Sequence, residues 1–148
     1  MSIGTVERML ICMNSNPKFV CDGTVVKLGK RLRILGYDVE ITYKTDLPNV
    51  SEMIVATGRT LITKSITLHK QLGGIHVKSD RVMEQVEEII SKLGVPGSTR
   101  CSRCNSELVE CDKDSVKDKV PIYVFQTNDK FKCCTKCGKV YWKGTHIK

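Results

Sequence analysis

Lys18-Phe19-Val20-Cys21-Asp22-Gly23, continued by Thr24-Val25-Val26-Lys27-Leu28-Gly29-Lys30-Arg31-Leu32-Arg33-Ile34-Leu35-Gly36, decides the fold. Lys18 to Cys21 reads as a short buried strand that ends at Asp22-Gly23. From Thr24 to Leu35 the apolar positions are Val25, Leu28, Leu32 and Leu35, spaced 3, 4 and 3, which is one face of an amphipathic helix. Gly36 stops that helix. Downstream the same alternation repeats. Tyr37–Thr42 is a second strand, and Pro48 with Val50–Ala56 predicts a helix ended by Gly58. Thr60–Thr63 is a third strand, Ile66–Leu72 a short helix closed by Gly73-Gly74, and Ile75–Val77 a fourth strand. Arg81–Leu93 places Val82, Val86, Ile89, Ile90 and Leu93 on one helical face. Strands alternating with helices predict an α/β fold with a mostly parallel sheet covered on both sides, hence three layers.

Gly94-Val95-Pro96-Gly97-Ser98 carries turn and breaker residues and reads as a linker. The expected organisation is an N-terminal extension (1–16), an α/β domain (17–97) and a small β-rich module (98–148). In that module Cys101-Ser102-Arg103-Cys104 and Cys134-Thr135-Lys136-Cys137 are two C-x2-C pairs. A C-x2-C turn presents two thiolates to one ion, and zinc takes four soft ligands in a tetrahedron. A redox-active pair would not need two such turns. Cys101, Cys104, Cys134 and Cys137 are therefore the expected ligands of one structural zinc, with Cys133 as the rival of Cys134. Strand-like Ile122–Phe125 and Val140–Trp142 are the candidate strands of the zinc ribbon. Cys12, Cys21 and Cys111 lack a partner pattern and read as inert thiols.

The 148 residues carry a formal charge of +8. Residues 1–97 hold 13 Lys/Arg against 10 Asp/Glu, a net +3, and residues 98–148 hold 11 against 6, a net +5. An excess of cations speeds encounter with phosphates, or simply keeps a surface soluble. Lys27, Lys30 and Arg31 share a face of the first helix, and Lys136, Lys139 and Lys143 flank Tyr141 and Trp142 near the C-terminus. Cations for phosphates and rings for bases suit RNA, although a solvated helix face and a packed ribbon core are the plainer readings. His146 is a fifth candidate zinc ligand, although a nucleic-acid contact or a plain surface residue is the preferred reading. No apolar run approaches the roughly 18–20 residues of a membrane span, and Met9–Met13 is too short for a signal-peptide core. A cytoplasmic protein without a membrane partner is expected.

Asp22 and Asp80 each follow a strand, where ligands of open parallel sheets gather. Asp46 precedes the second helix. Three carboxylates brought together would hold Mg²⁺ or Mn²⁺ for phosphodiester hydrolysis. Each also has a simpler reading, Asp80 as a helix cap and Asp46 as a turn residue.

The residues further carry a family resemblance. Phe19-Val20-Cys21-Asp22-Gly23, Lys27-Leu28 and Leu32–Asp38 are similar to the opening motif of the Mut-seven C-terminal RNase family, a PIN-like nuclease domain fused to a zinc ribbon. Gly58–Thr63 resembles its central strand and Val77–Asp80 the next one. In the ribbon Arg100-Cys101, Cys104, Val120-Pro121, Tyr123-Val124 and Cys137–His146 match. The resemblance covers residues 17–148 and implies a PIN-like fold and metal-dependent RNA cleavage. Asp22 matches the family's first acid, Asp46 falls near its second, and Asp80 matches another. After the central strand the family has Thr-Arg-Asp, whereas this chain has Thr63-Lys64-Ser65. Ser65 cannot supply the missing charge, and a neutral hydroxyl is a poor ligand for a hard dication. The family's Trp in the first helix is Arg31 here, which makes that helix more basic.

Three functions compete. The first is an RNA-binding protein, ribosome-associated through ribosomal RNA, whose cleavage activity is weak or lost. The second is an active Mg²⁺- or Mn²⁺-dependent endoribonuclease. The third is a zinc-ribbon module that binds protein.

Overall fold

The computed structural model describes residues 17–142. The expected extension 1–16, with Cys12, and the residues Lys143 and His146 lie outside the described residues. Four short strands, β1 (Lys18–Cys21), β2 (Asp38–Ile41), β3 (Thr60–Thr63) and β4 (Ile75–His76), form a parallel sheet in the order β2-β1-β3-β4. Four helices alternate with them: α1 (Val26–Leu35), α2 (Leu47–Thr57), α3 (Ile66–Leu72) and α4 (Val82–Leu93). Side chains alternate across each strand. Phe19, Cys21, Val39 and Ile62 therefore face α1 and α4, packing with Leu28, Leu32, Val86 and Ile89. Val20 and Leu61 face the other way, against Val50 of α2 and Leu68 of α3. Two apolar clusters on opposite faces of one sheet give the three layers expected from the strand–helix alternation.

Glycines set two of the close approaches. At Gly29 a Cβ would lie 2.8 Å from the Ile41 side chain, so glycine lets α1 settle onto β2. Gly36 has φ +104°, and its Cβ would meet the Ser98 carbonyl at 2.6 Å. It ends α1 in the left-handed region and lets the linker pass close by. The Tyr37 hydroxyl donates to the Gly94 carbonyl, tying the linker to the start of β2.

The second unit has an antiparallel sheet in the order β5-β6-β7: β5 (Leu108–Cys111), β6 (Phe131–Cys134) and β7 (Val140–Tyr141). A 3₁₀ turn (Lys113–Val116) and a short helix α5 (Ile122–Thr127) lie between β5 and β6. The expected strand Ile122–Phe125 is thus a helix. Its β-branched and aromatic residues favour a strand locally, but Pro121 starts a helical turn, and its carbonyl accepts from Val124 N and Phe125 N at 3.0 Å each. Tertiary packing decides the outcome. Val124 alone of the first three helix residues is buried, beside Val116, Phe131 and Val140, while Ile122 and Tyr123 are 75% and 66% exposed.

Buried polar contacts join the two units. Arg33 on α1 donates from Nε to the Val39 carbonyl at 2.7 Å and from Nη1 to the Ser102 carbonyl at 2.8 Å. Val39 N donates to Asn105 Oδ1 at 3.0 Å, and Asn105 Nδ2 donates to Asp38 Oδ1 at 2.7 Å. Asp38 also pairs with Arg59 at 2.8 Å. The ribbon therefore sits at the N-terminal end of β2, opposite the strand ends that carry Asp22.

Candidate metal centre and the acidic strand ends

The sulfur atoms of Cys101, Cys104, Cys134 and Cys137 all lie within 4.8 Å of one another. A zinc tetrahedron with bonds of about 2.3 Å has sulfur–sulfur edges of about 3.8 Å. Cys101 Sγ and Cys137 Sγ are 3.7 Å apart, so this donor set fits a zinc ion. The turn after Cys134 adds Lys136 N and Cys137 N as donors to Cys134 Sγ, at 3.4 and 3.5 Å. Such donors stabilise thiolate charge and orient the ligand. Burial raises the Cys101 thiol, but donation from the Tyr141 hydroxyl and the Cys104 and Arg103 backbone outweighs it, bringing the thiol down to about 6. Burial and hydrogen bonds with Cys137 and Cys134 push Cys104 up to about 12. A bound cation would displace the remaining protons and hold β6 and β7 to the Cys101–Cys104 turn. With four protein ligands, such a site has no open position for chemistry.

The strand register separates the two adjacent cysteines. Leu108 pairs with Cys134 and Val109 with Cys133, so the two thiols point to opposite faces of β6. Cys134 joins Cys101 and Tyr141, whereas Cys133 packs with Cys111 against Val116, Val124 and Phe131. Cys111 is thus part of the ribbon's small core, and burial with Cys133 alongside pushes its thiol up to about 11. Cys21 is fully buried under α1, and burial first, then Asp22, raises its thiol far above the ordinary value.

Tyr141 is 3% exposed, and its hydroxyl accepts from Ser102 N at 2.8 Å and donates to Cys101 Sγ at 3.4 Å. Its ring packs with Cys101 and Cys134 in the ribbon core, the plainer of the two readings the sequence offers. Lys139 lies with Nζ 5.2 Å from the Tyr141 ring centroid and 3.3 Å from Ser102 Oγ. Trp142 is half-buried at the ribbon's edge, and Lys136 is exposed. On α1, Lys27 and Lys30 are exposed, while Arg31 is half-buried.

The three acids stand at the same end of the parallel sheet, but each has its own partners. Asp22 is buried at the end of β1. Its Oδ1 accepts from the Thr24 hydroxyl at 2.6 Å and its Oδ2 from the Thr63 hydroxyl at 3.0 Å. Asp46 caps α2, accepting from Asn49 N at 3.1 Å and Asn49 Nδ2 at 2.7 Å, and the backbone donor holds its carboxyl below the ordinary value. Asp80 pairs with Lys64, whose hydrogen bond and charge likewise hold it low. Ser79, not Asp80, takes the Arg81 N–H ahead of α4, at 3.0 Å. Among the described residues, the four cysteines form the single group of three or more metal-ligating side chains within ligand distance. Asp22, Asp46 and Asp80 do not form such a group: a helix cap engages Asp46, and Lys64 engages Asp80. Ser65, where the resembling family has an acid, caps α3 by accepting from Leu68 N at 3.2 Å. Sequence reasoning missed Thr24 and Thr63 as the groups that hold Asp22; their nearness to the strand ends was the available signal.

Among the described residues no helix is long and apolar enough to cross a membrane. No curated protein and no solved structure matches the chain. The family model of the Mut7-C RNase domain, however, matches residues 17–148 from the first strand through both C-x2-C turns, and the chain belongs to that family.

Proposed function

We propose that this protein binds RNA through a PIN-like domain (17–97) and a zinc ribbon (98–148), and that its phosphodiester chemistry is weak or lost. The carrying observation is the turn after β3. Ser65 is spent on the α3 cap, and Lys64 neutralises Asp80. A hydroxyl thus stands where hydrolysis by two metals needs added negative charge. RNA affinity rests on the remaining cations, Lys27 and Lys30 on α1 and Lys136 on the ribbon, all of them exposed.

The test is incubation of the purified chain with structured RNA, ribosomal fragments included, with Mn²⁺ and beside an Asp22→Asn variant. Retention without cleavage is the expected result, with binding that weakens as salt rises. Cleavage that disappears in the variant would establish the second reading, an active endoribonuclease, which the burial of Asp22 at a strand end favours. If neither protein cuts, Ser65→Asp is expected to restore some activity. Absent or salt-insensitive binding would sink both RNA readings and leave a protein-binding module, to which exposed Ile122 and Tyr123 on α5 would contribute.

A further inference from the structure

Two of the chain's three histidines, His69 on α3 and His76 on β4, lie against each other with ring centroids 5.6 Å apart and planes tilted by 35°. Neither belongs to the four-cysteine group. Strand alternation sets their face of the sheet. Ile75 packs toward α1 and α4, so His76 points the other way, to the side that Leu68 and the rest of α3 cover. Thr63 is its neighbour in register, which puts the pair beside the strand end where Thr63 holds Asp22.

The ring nitrogens are unequally engaged. His76 Nε2 donates to the Lys64 carbonyl at 3.0 Å. A carbonyl only accepts, so this contact puts the proton of the neutral ring on Nε2 and leaves Nδ1 with its lone pair. His69 Nδ1 is buried and has no hydrogen-bond partner among the described residues. Buried polar atoms are nearly always satisfied by protein, water or an ion, and contact between the rings alone leaves this one unsatisfied. Two imidazoles bound to one ion at about 2.0–2.1 Å have centroids about 5–6 Å apart, which is the separation found. A backbone carbonyl on the outer N–H is also the usual support of a ligating histidine, because it fixes tautomer and ring orientation. We infer that His69 Nδ1 and His76 Nδ1 together bind one divalent ion of the zinc, nickel or copper class, separate from any ion at the cysteines. Imidazole selects such ions over Mg²⁺. Two protein ligands leave positions open to water or an anionic oxygen, unlike the closed cysteine site. The inference is independent of the RNA reading.

The test uses the full chain with its four cysteines first saturated by one equivalent of Zn²⁺. Long-range proton–nitrogen NMR then follows the histidine rings, with Zn²⁺ as the probe and Mg²⁺ as the control. Before addition, His76 is expected in its Nε2–H form. One further equivalent of Zn²⁺ is expected to shift Nδ1 of His69 and of His76 together and saturably, and Mg²⁺ to move neither. His69→Phe and His76→Phe keep a packed ring. Each is expected to weaken the further equivalent by more than about tenfold in calorimetry, since loss of even an outer partner of a ligand costs roughly 10–100-fold in affinity. The ring nitrogens of the unmodified chain decide the matter should either variant fail to fold. Addition of Zn²⁺ with no shift at either Nδ1, a shift at His146 alone, or an Nδ1–H form of His76 would overturn the site. Binding that both variants reproduce at wild-type affinity would overturn it too.

Discussion

Replacing Arg33 by methionine tests how the two units are held together. Arg33 is 5% exposed, and its guanidinium donates to Val39 on the sheet and to Ser102 inside the Cys101–Cys104 turn. Burial lowers its pKa, opposed by the nearby Glu40. Methionine keeps much of the stem's packing but leaves both carbonyls without their donor. Hydrogen bonds from a charged donor contribute about 1.5–3 kcal/mol each, so two of them set a ceiling of about 6 kcal/mol. Removing a buried cation also removes its desolvation penalty, which returns several kcal/mol. A net loss of about 2–3 kcal/mol is expected by this difference. With a urea slope of about 2 kcal/mol/M, the unfolding midpoint falls by roughly 1 M or slightly more. Lys30→Met, on an exposed face of the same helix, is the control and stays within about 0.5 kcal/mol. A midpoint for Arg33→Met that matches the control would refute the argument that this side chain pins the ribbon to the sheet.

Cys134→Ser is expected to abolish stoichiometric zinc in the purified protein, whereas Cys133→Ser keeps one zinc per chain, as metal analysis would read. Chelation of zinc is expected to erase amide-exchange protection over β6 while β1 and β3 stay protected, since those strands have their own two apolar clusters. In an NMR titration the Asp80 carboxyl is expected to titrate below its ordinary value of 3.8, and Lys64→Met to return it there. The sign follows from linkage. The folded-state pKa is depressed, so the pair's contribution is present above the ordinary value and is lost as pH falls through the lowered one. Gly74→Ala is expected to destabilise the chain by more than about 1 kcal/mol in the same urea assay, because at φ +85° its Cβ would lie 2.2 Å from the Leu61 carbonyl.

The α/β order was legible because each element is short and strongly patterned. Thr60–Thr63 and Ile66–Leu72 match β3 and α3 residue for residue. The grouping of Cys101, Cys104, Cys134 and Cys137 was legible from spacing, since C-x2-C turns are local. What depends on partners far along the chain was not. Arg33 and Ser102 are 69 residues apart, and nothing near Arg33 marks it as buried rather than as another cation on a basic helix. Tyr141 reads either as a stacking ring beside lysines or as ribbon core, and only its distant contact with Cys101 puts it in the core. Ile122–Phe125 has the composition of a strand, and only its contact through Val124 with Phe131 and Val140 shows why a single helical turn serves better. The acids illustrate the same limit. Their places at the strand ends follow from the pattern, but their partners Thr63, Asn49 and Lys64 do not.

The adjacent thiols on β6 carry a consequence for how the ribbon folds. Each offers the same chemistry to an incoming cation, so ligand affinity alone cannot distinguish the native pairing from one displaced by a single residue. Such a displacement would exchange the two faces of the strand. It would hand Cys133 to the metal and turn Phe131 away from Val116, Val124 and Val140. The small apolar cluster on the far side is therefore what tells the two sulfurs apart. Weakening it, as in Phe131→Ser, would yield a mixed population of metallated ribbons that differ in alignment while containing the same amount of zinc.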